Sequence, residues 1–143
     1  MKILVINGPN LNLLGKREPE LYGSRSLADI NGELQERCSL RGVTIEFFQS
    51  NHEGAIIDRL QAAPSQVVDG IIINPGGLAH TSVSLRDCLA GIGLPAIEVH
   101  LTNIYAREEF RRNSMLSPVC KGVIAGFGPL GYRLALEYFV SSQ

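Results

Sequence analysis

Cysteine is scarce in this chain. Cys38, Cys88 and Cys120 are odd in number and none stands in a C-x-x-C spacing. That argues against a disulfide framework or a zinc site and fits a reducing cytoplasm. A surplus of one charge is also lacking. Thirteen Lys and Arg stand against 14 Asp and Glu, for a formal net charge of -1. No basic field therefore invites nucleic acid or an anionic membrane surface. Long apolar runs are missing too. The run after Lys2 stops too early for a signal segment, and no later one approaches a membrane span. Histidine is limited to three dispersed residues without H-E-x-x-H, so no metal is expected. Lys2, Lys16 and Lys121 lie outside apolar runs and offer no Schiff-base candidate. Neither a Walker loop nor a G-x-S-x-G elbow is present. What is there is 143 residues, 45% apolar and 19% charged, the composition of one globular domain over 1–143 with a sizeable core.

Short apolar runs alternate with longer amphipathic ones. The pattern predicts strands at Lys2–Asn7, Val43–Gln49, Val67–Asn74, Ala96–His100 and Val119–Ala125. It predicts helices at Leu27–Arg41, Glu53–Ala63, Val83–Ala90, Ile104–Asn113 and Leu130–Val140. Ser26 with Asp29 reads as a capping box, Gly42 as a helix stop, Asn51 as the second cap, and Asn103 or Thr102 as the fourth. Ile3–Ile6 and Ile71–Ile73 are continuously apolar, as strands buried on both faces are. Serial βα units give an α/β fold, a flavodoxin-like, doubly wound parallel sheet of five strands. Function in such a sheet sits at the carboxyl ends of the strands, near the switch point.

Several of those ends are unusual. The first connection, 8–25, is far longer than the ~2–6 residues typical of βα loops. Leu11, Leu13 and Leu14 can pin its base, while Arg17, Tyr22 and Gly23 form a charged, bendable tip suited to a lid. A guanidinium beside a phenol favours phenolate, which can take a proton from carbon next to a carbonyl. A tyrosine with its hydroxyl in water fits these residues equally well. After the third strand comes Asn74-Pro75-Gly76-Gly77, then His80-Thr81-Ser82 at a helix start, where free amides could hold an anionic oxygen. An ordinary capped turn explains the hydroxyls alone. Glu98 and His100 alternate onto one side of the fourth strand, so the carboxylate can fix the imidazole's tautomer and make His100 a general acid. Arg107 and Arg111, four apart, imply an anion, and Glu108 with Arg112 a solvated pair. Gly126-Phe127-Gly128-Pro129-Leu130-Gly131 fits G-x-G-x-x-G but comes too late for a dinucleotide site, and reads as tight strand-to-helix packing. An FMN or small-ligand domain, a receiver module and a carboxylate-binding protein remain the rival readings. Asn7 and Asn74 stand where a receiver needs acids.

The motifs together resemble the type II 3-dehydroquinate dehydratase (type II dehydroquinase) family along the whole chain. Asn7–Gly15, Arg17-Glu18-Pro19, Tyr22-Gly23, Gln49–Gly54, Asn74-Pro75-Gly76, His80-Thr81-Ser82, Glu98-Val99-His100 and Ala106-Arg107-Glu108 follow the family's pattern in order. Gly77-Leu78, Ala79 and Thr102 depart from its commoner residues. The resemblance implies a flavodoxin-like fold, a dodecamer built from trimers, and anti elimination of water from 3-dehydroquinate to 3-dehydroshikimate, a shikimate-pathway step. No cofactor or metal is implied. Tyr22 would be the base, Arg17 would lower its pKa, and Asn10 would hold a water against the enolate oxygen. His100, oriented by Glu98, would protonate the departing hydroxyl. Asn74, His80, Leu101, Thr102 and Arg111 would bind substrate with Arg107 in support, and Asp87 would reach a neighbouring subunit's site.

Overall fold

The computed structural model describes residues 1–141, apart from the side chains of Leu21 and Tyr22. Its strands are β1 (Lys2–Asn7), β2 (Thr44–Gln49), β3 (Gly70–Asn74), β4 (Ala96–His100) and β5 (Gly122–Ala125). They form one parallel sheet in the order β2-β1-β3-β4-β5, the flavodoxin-like arrangement. The helices are α1 (Pro19–Tyr22), α2 (Leu27–Ser39), α3 (Glu53–Ala62), α4 (Val83–Ile92) and α5 (Leu130–Ser141).

Side-chain alternation splits the core into two layers. Ile3 and Val5 of β1 pack with Ile72, Val99, Leu34 and Leu136 under α2 and α5. Leu4 and Ile6 face the other way, onto Ile71, Ile73, Ile56 and Leu85 under α3 and α4. Each of these four β1 side chains is fully buried, a contribution of roughly 1.5–3 kcal/mol apiece. Because Ile97 and Val99 belong to the α2/α5 layer, Glu98 and His100 project towards the α3/α4 side. The switch point lies between β1 and β3, where Asn7 is registered against Asn74. The glycine run after β5 packs as expected, since a Cβ on Gly131 would sit 3.1 Å from Val99 Cγ1.

The capping box at Ser26 and Asp29 is present, and four long helices begin where the periodicity places them. Four expectations fail. Val43, Val67 and Val119 are not strand residues: Val43 bonds back to Cys38, Val67 turns with φ 57, and Val119 closes a 3-10 turn, Ser117–Val119. Asn51 does not cap α3, because its Oδ1 accepts from the Asn10 amide instead. Of the two candidates for the fourth cap, Asn103 is the one used, and it caps a 3-10 turn. Ile104–Asn113 is not one helix but two such turns, Ile104–Ala106 and Glu109–Arg112, separated by extended Arg107. Finally, the amides of Thr81 and Ser82 bond to Leu78 O, and Ser82 Oγ caps Leu85, so they are not free to hold an anion.

Candidate active site

A cavity opens at the carboxyl ends of β1, β3 and β4. It is lined by Asn10, Arg17, Asn74, His80, His100, Leu101, Thr102, Arg107 and Arg111, with Leu11, Leu13 and Leu14 of the first loop forming an apolar wall. Nine residues picked out from the sequence thus converge from separate loops. Glu98 does not line the cavity and stands behind His100, bonded to its ring. Asp87 does not reach the cavity and lines a separate open groove with Ile57, Gln61 and Ser84. Tyr22 falls outside the described side chains.

The floor centres on the buried pair Glu98 and His100, with half-buried Ser114, Ser117 and His80 set around it. His100 Nε2 lies 2.6 Å from Glu98 Oε1. Ser114 Oγ donates to the same oxygen at 2.7 Å and Ser117 Oγ to Glu98 Oε2 at 2.6 Å. Burial alone would raise the Glu98 pKa, but donors from His100, Ser117 and Ser114 outweigh it and hold the carboxyl below its ordinary value. An ionised carboxylate only accepts, so Nε2 of His100 carries the hydrogen and Nδ1 is left for a ligand. His80 is ordered in a similar way. Its Nδ1 lies 2.9 Å from Asn113 O, a carbonyl that only accepts, which leaves Nε2 as the unassigned nitrogen. The two rings stack with centroids 6.1 Å apart.

Beside them runs a second buried chain. Tyr132 of α5 donates its hydroxyl to Asn7 Oδ1 and accepts from Asn74 Nδ2 at 2.9 Å. Burial pushes the Tyr132 phenol well up, only partly opposed by the Asn74 donor, so it stays protonated and the bond directions are fixed. Asn74 Oδ1 meanwhile accepts from Gly76 N at 3.2 Å. Gly8 closes the junction: a Cβ there would sit 2.3 Å from Pro75 O.

The rim is charged. Arg107 Nη1 donates to Thr102 Oγ1 at 3.3 Å. Glu108 pairs with Arg111 at 2.5 Å rather than with Arg112. In a 3-10 turn side chains at i and i+3 eclipse, so the expected i+4 partner is displaced and both Arg107 and Arg111 still face the cavity. The first loop is held differently. Asn10 takes a left-handed conformation (φ 70) that asparagine tolerates, and Glu18 has φ 43. Arg17 lies 3.9 Å from Glu18 and keeps 45% of its side chain exposed.

Sequence reasoning missed Tyr132, Asn113, Ser114 and Ser117. No local pattern points to them, because their partners stand 125, 33, 16 and 19 residues away. Among the described residues no group of three or more His, Cys, Asp or Glu is gathered as metal ligands.

The dehydroquinase class II family model matches residues 1–140. A protein named 3-dehydroquinate dehydratase 1 from Ralstonia nicotianae is 58% identical over 141 residues, covering 99% of this chain and 90% of that one. A 3-dehydroquinate dehydratase from Methylococcus capsulatus is also 58% identical, over 94% of this chain and 91% of its own. The crystal structure of the type II dehydroquinase from Butyrivibrio crossotus superposes with a TM-score of 0.95 at 47% identity, over 99% of this chain and 97% of that one. With its sheet order described and residues 1–140 matched, this chain belongs to the class II dehydroquinase family.

Proposed function

We propose that the protein dehydrates 3-dehydroquinate to 3-dehydroshikimate by stepwise anti elimination. The observation that carries this reading is His100, set on a strand end with Nε2 tied to a buried carboxylate and its other nitrogen left for the cavity.

The chemistry needs a base, a group to stabilise an enolate and an acid for the leaving hydroxyl. Tyr22, as phenolate, takes the C2 proton, and the C–H electron pair moves into the carbonyl to give an enolate. Arg17 favours the phenolate and the developing charge, while Asn10 holds a water against the enolate oxygen. The enolate then collapses, the C1–oxygen bond breaks, and imidazolium His100 protonates the departing hydroxyl to water. Tyr22 returns its proton to solvent and His100 takes one up, so the balance is loss of one water. Arg111, with Arg107 in support, supplies a guanidinium for the substrate carboxylate. The Leu101–Thr102 backbone and Thr102 hydroxyl, His80 and Asn74 hold the remaining oxygens. No bound cofactor or metal is required by these steps, and activity is expected to survive EDTA.

The reading extends to assembly and setting. We place Asp87 in a neighbouring copy's site within a dodecamer built from trimers. Its position in the open groove of α3 and α4, away from its own cavity, supports that arrangement. The free thiols Cys38, Cys88 and Cys120 accord with a reducing cytoplasm. Adding 3-dehydroquinate to the purified protein should produce enone absorbance. Binding without that signal would overturn the reading, and sedimentation at the monomer mass would overturn the assembly.

A further inference from the structure

Asn113–Ser117 is the one described segment that touches the supports of both cavity histidines. Asn113 O takes the Nδ1 hydrogen of His80. Ser114 Oγ and Ser117 Oγ grip the two oxygens of Glu98 separately. The segment is itself tied down, with Met115 N bonded to Ala79 O at 2.7 Å and Met115 O accepting from Arg86 Nη1 at 3.0 Å. Leu116, between the two serines, is fully buried. Ser114 Oγ also accepts from Leu116 N and Ser117 N, so its hydrogen has one available direction, towards Glu98.

A carboxylate gripped by His100 alone could rotate about its terminal torsion, which is soft for glutamate. With both oxygens engaged from a second segment, that rotation breaks two hydrogen bonds in a buried site, where an unmade bond is costly. We infer that Ser114 and Ser117 are positioning residues for the acid step: they hold the Glu98 carboxylate so that His100 keeps its hydrogen on Nε2 and turns Nδ1 to the substrate. The inference rests on His100 being the acid. Its reach is one layer further out, to hydroxyls that touch neither substrate nor the imidazole.

Ser117→Ala is the cleaner test, because the Ser117 hydroxyl bonds to Glu98 while that of Ser114 also organises the turn. The expected result is a fall in kcat of about tenfold, by analogy with the outer partners that orient a metal-ligating imidazole, with KM within about twofold. With the ring in its neutral form, imidazole 15N shifts of His100 in the folded protein should change from a single Nε2–H tautomer to a mixture, and Ser117→Thr, which keeps the hydroxyl, should restore both readouts. His100→Ala measured alongside separates the two layers of argument. If it loses little activity, the acid assignment fails and the serine proposal with it. If it is inactive while Ser117→Ala keeps wild-type kcat and an unchanged tautomer, the serine proposal alone is overturned. Should Ser117→Ala lower the melting temperature, a lost kcat with an unchanged tautomer likewise overturns it, because a purely structural role would look that way.

Discussion

The two sides of the cavity are built on opposite plans. On one side His100 ends a fully buried strand, and Glu98, two residues back, is fully buried too. Both Glu98 oxygens and His100 Nε2 are paired within the scaffold, and only Nδ1 of the ring is left to the cavity. On the other side, residues 16–20 of the first loop are exposed, with positive φ at Glu18 and an arginine whose nearest described carboxylate is 3.9 Å away. The Glu98–His100 side is therefore organised before substrate arrives, while residues 16–20 of the loop stay open to solvent. The difference teaches where binding energy goes: the floor needs little reorganisation, and the loop is where closure can exclude water.

The sharpest test removes one member from each side. Tyr22→Phe and His100→Ala are each expected to lower kcat by roughly 10²–10⁴-fold, the range for a lost acid or base, with substrate still bound. Near-normal turnover in either would break the division of labour. Hydrogen exchange should show the asymmetry directly: amides of β4 protected with or without ligand, those of 16–20 protected only with it. Equal protection of both in the free protein would refute the contrast.

Smaller effects sharpen it from the scaffold side. Gly8→Ala forces a methyl into Pro75 O and should cost about 1–3 kcal/mol in denaturant unfolding, as overpacking does. Tyr132→Phe should cost ~1–3 kcal/mol, because Asn7 Oδ1 and Asn74 Nδ2 lose a buried partner. Least in size is a pH effect. Glu98 is held below its ordinary pKa in the fold, so its stabilising contribution is present above its unfolded value and lost as pH falls through the depressed folded value. Acid unfolding of Glu98→Gln should accordingly be less steep than wild type below about pH 4.5. An unchanged slope would show that Glu98 binds no fewer protons folded than unfolded.

Much of this was legible from residues alone. β1 and β3 announced themselves as unbroken apolar runs, and strand alternation was enough to put Glu98 beside His100. The convergence of Asn10, Arg17, Asn74 and His80 followed from sheet logic, since loops at the carboxyl ends must meet near the switch point. Elsewhere tertiary demands overrode local pattern. Nothing between 104 and 113 is a helix breaker, yet Arg107 is drawn into an extended conformation and reaches Thr102 and the cavity. Asn51 looks like a helix cap, but its oxygen is engaged by the first loop. The Ser114, Ser117 and Tyr132 hydroxyls serve partners distant in sequence, which no periodicity encodes.

The contact between Gly8 and Pro75 carries a practical consequence. The roots of the first and third loops meet backbone to backbone, with Gly8 N bonded to Asn74 O, and so behave as a single joint. Grafting a segment 8–25 that lacks glycine at its root would drive a Cβ into Pro75 O. Chimeras made to transplant lid behaviour should therefore move 8–25 and 74–82 as a pair.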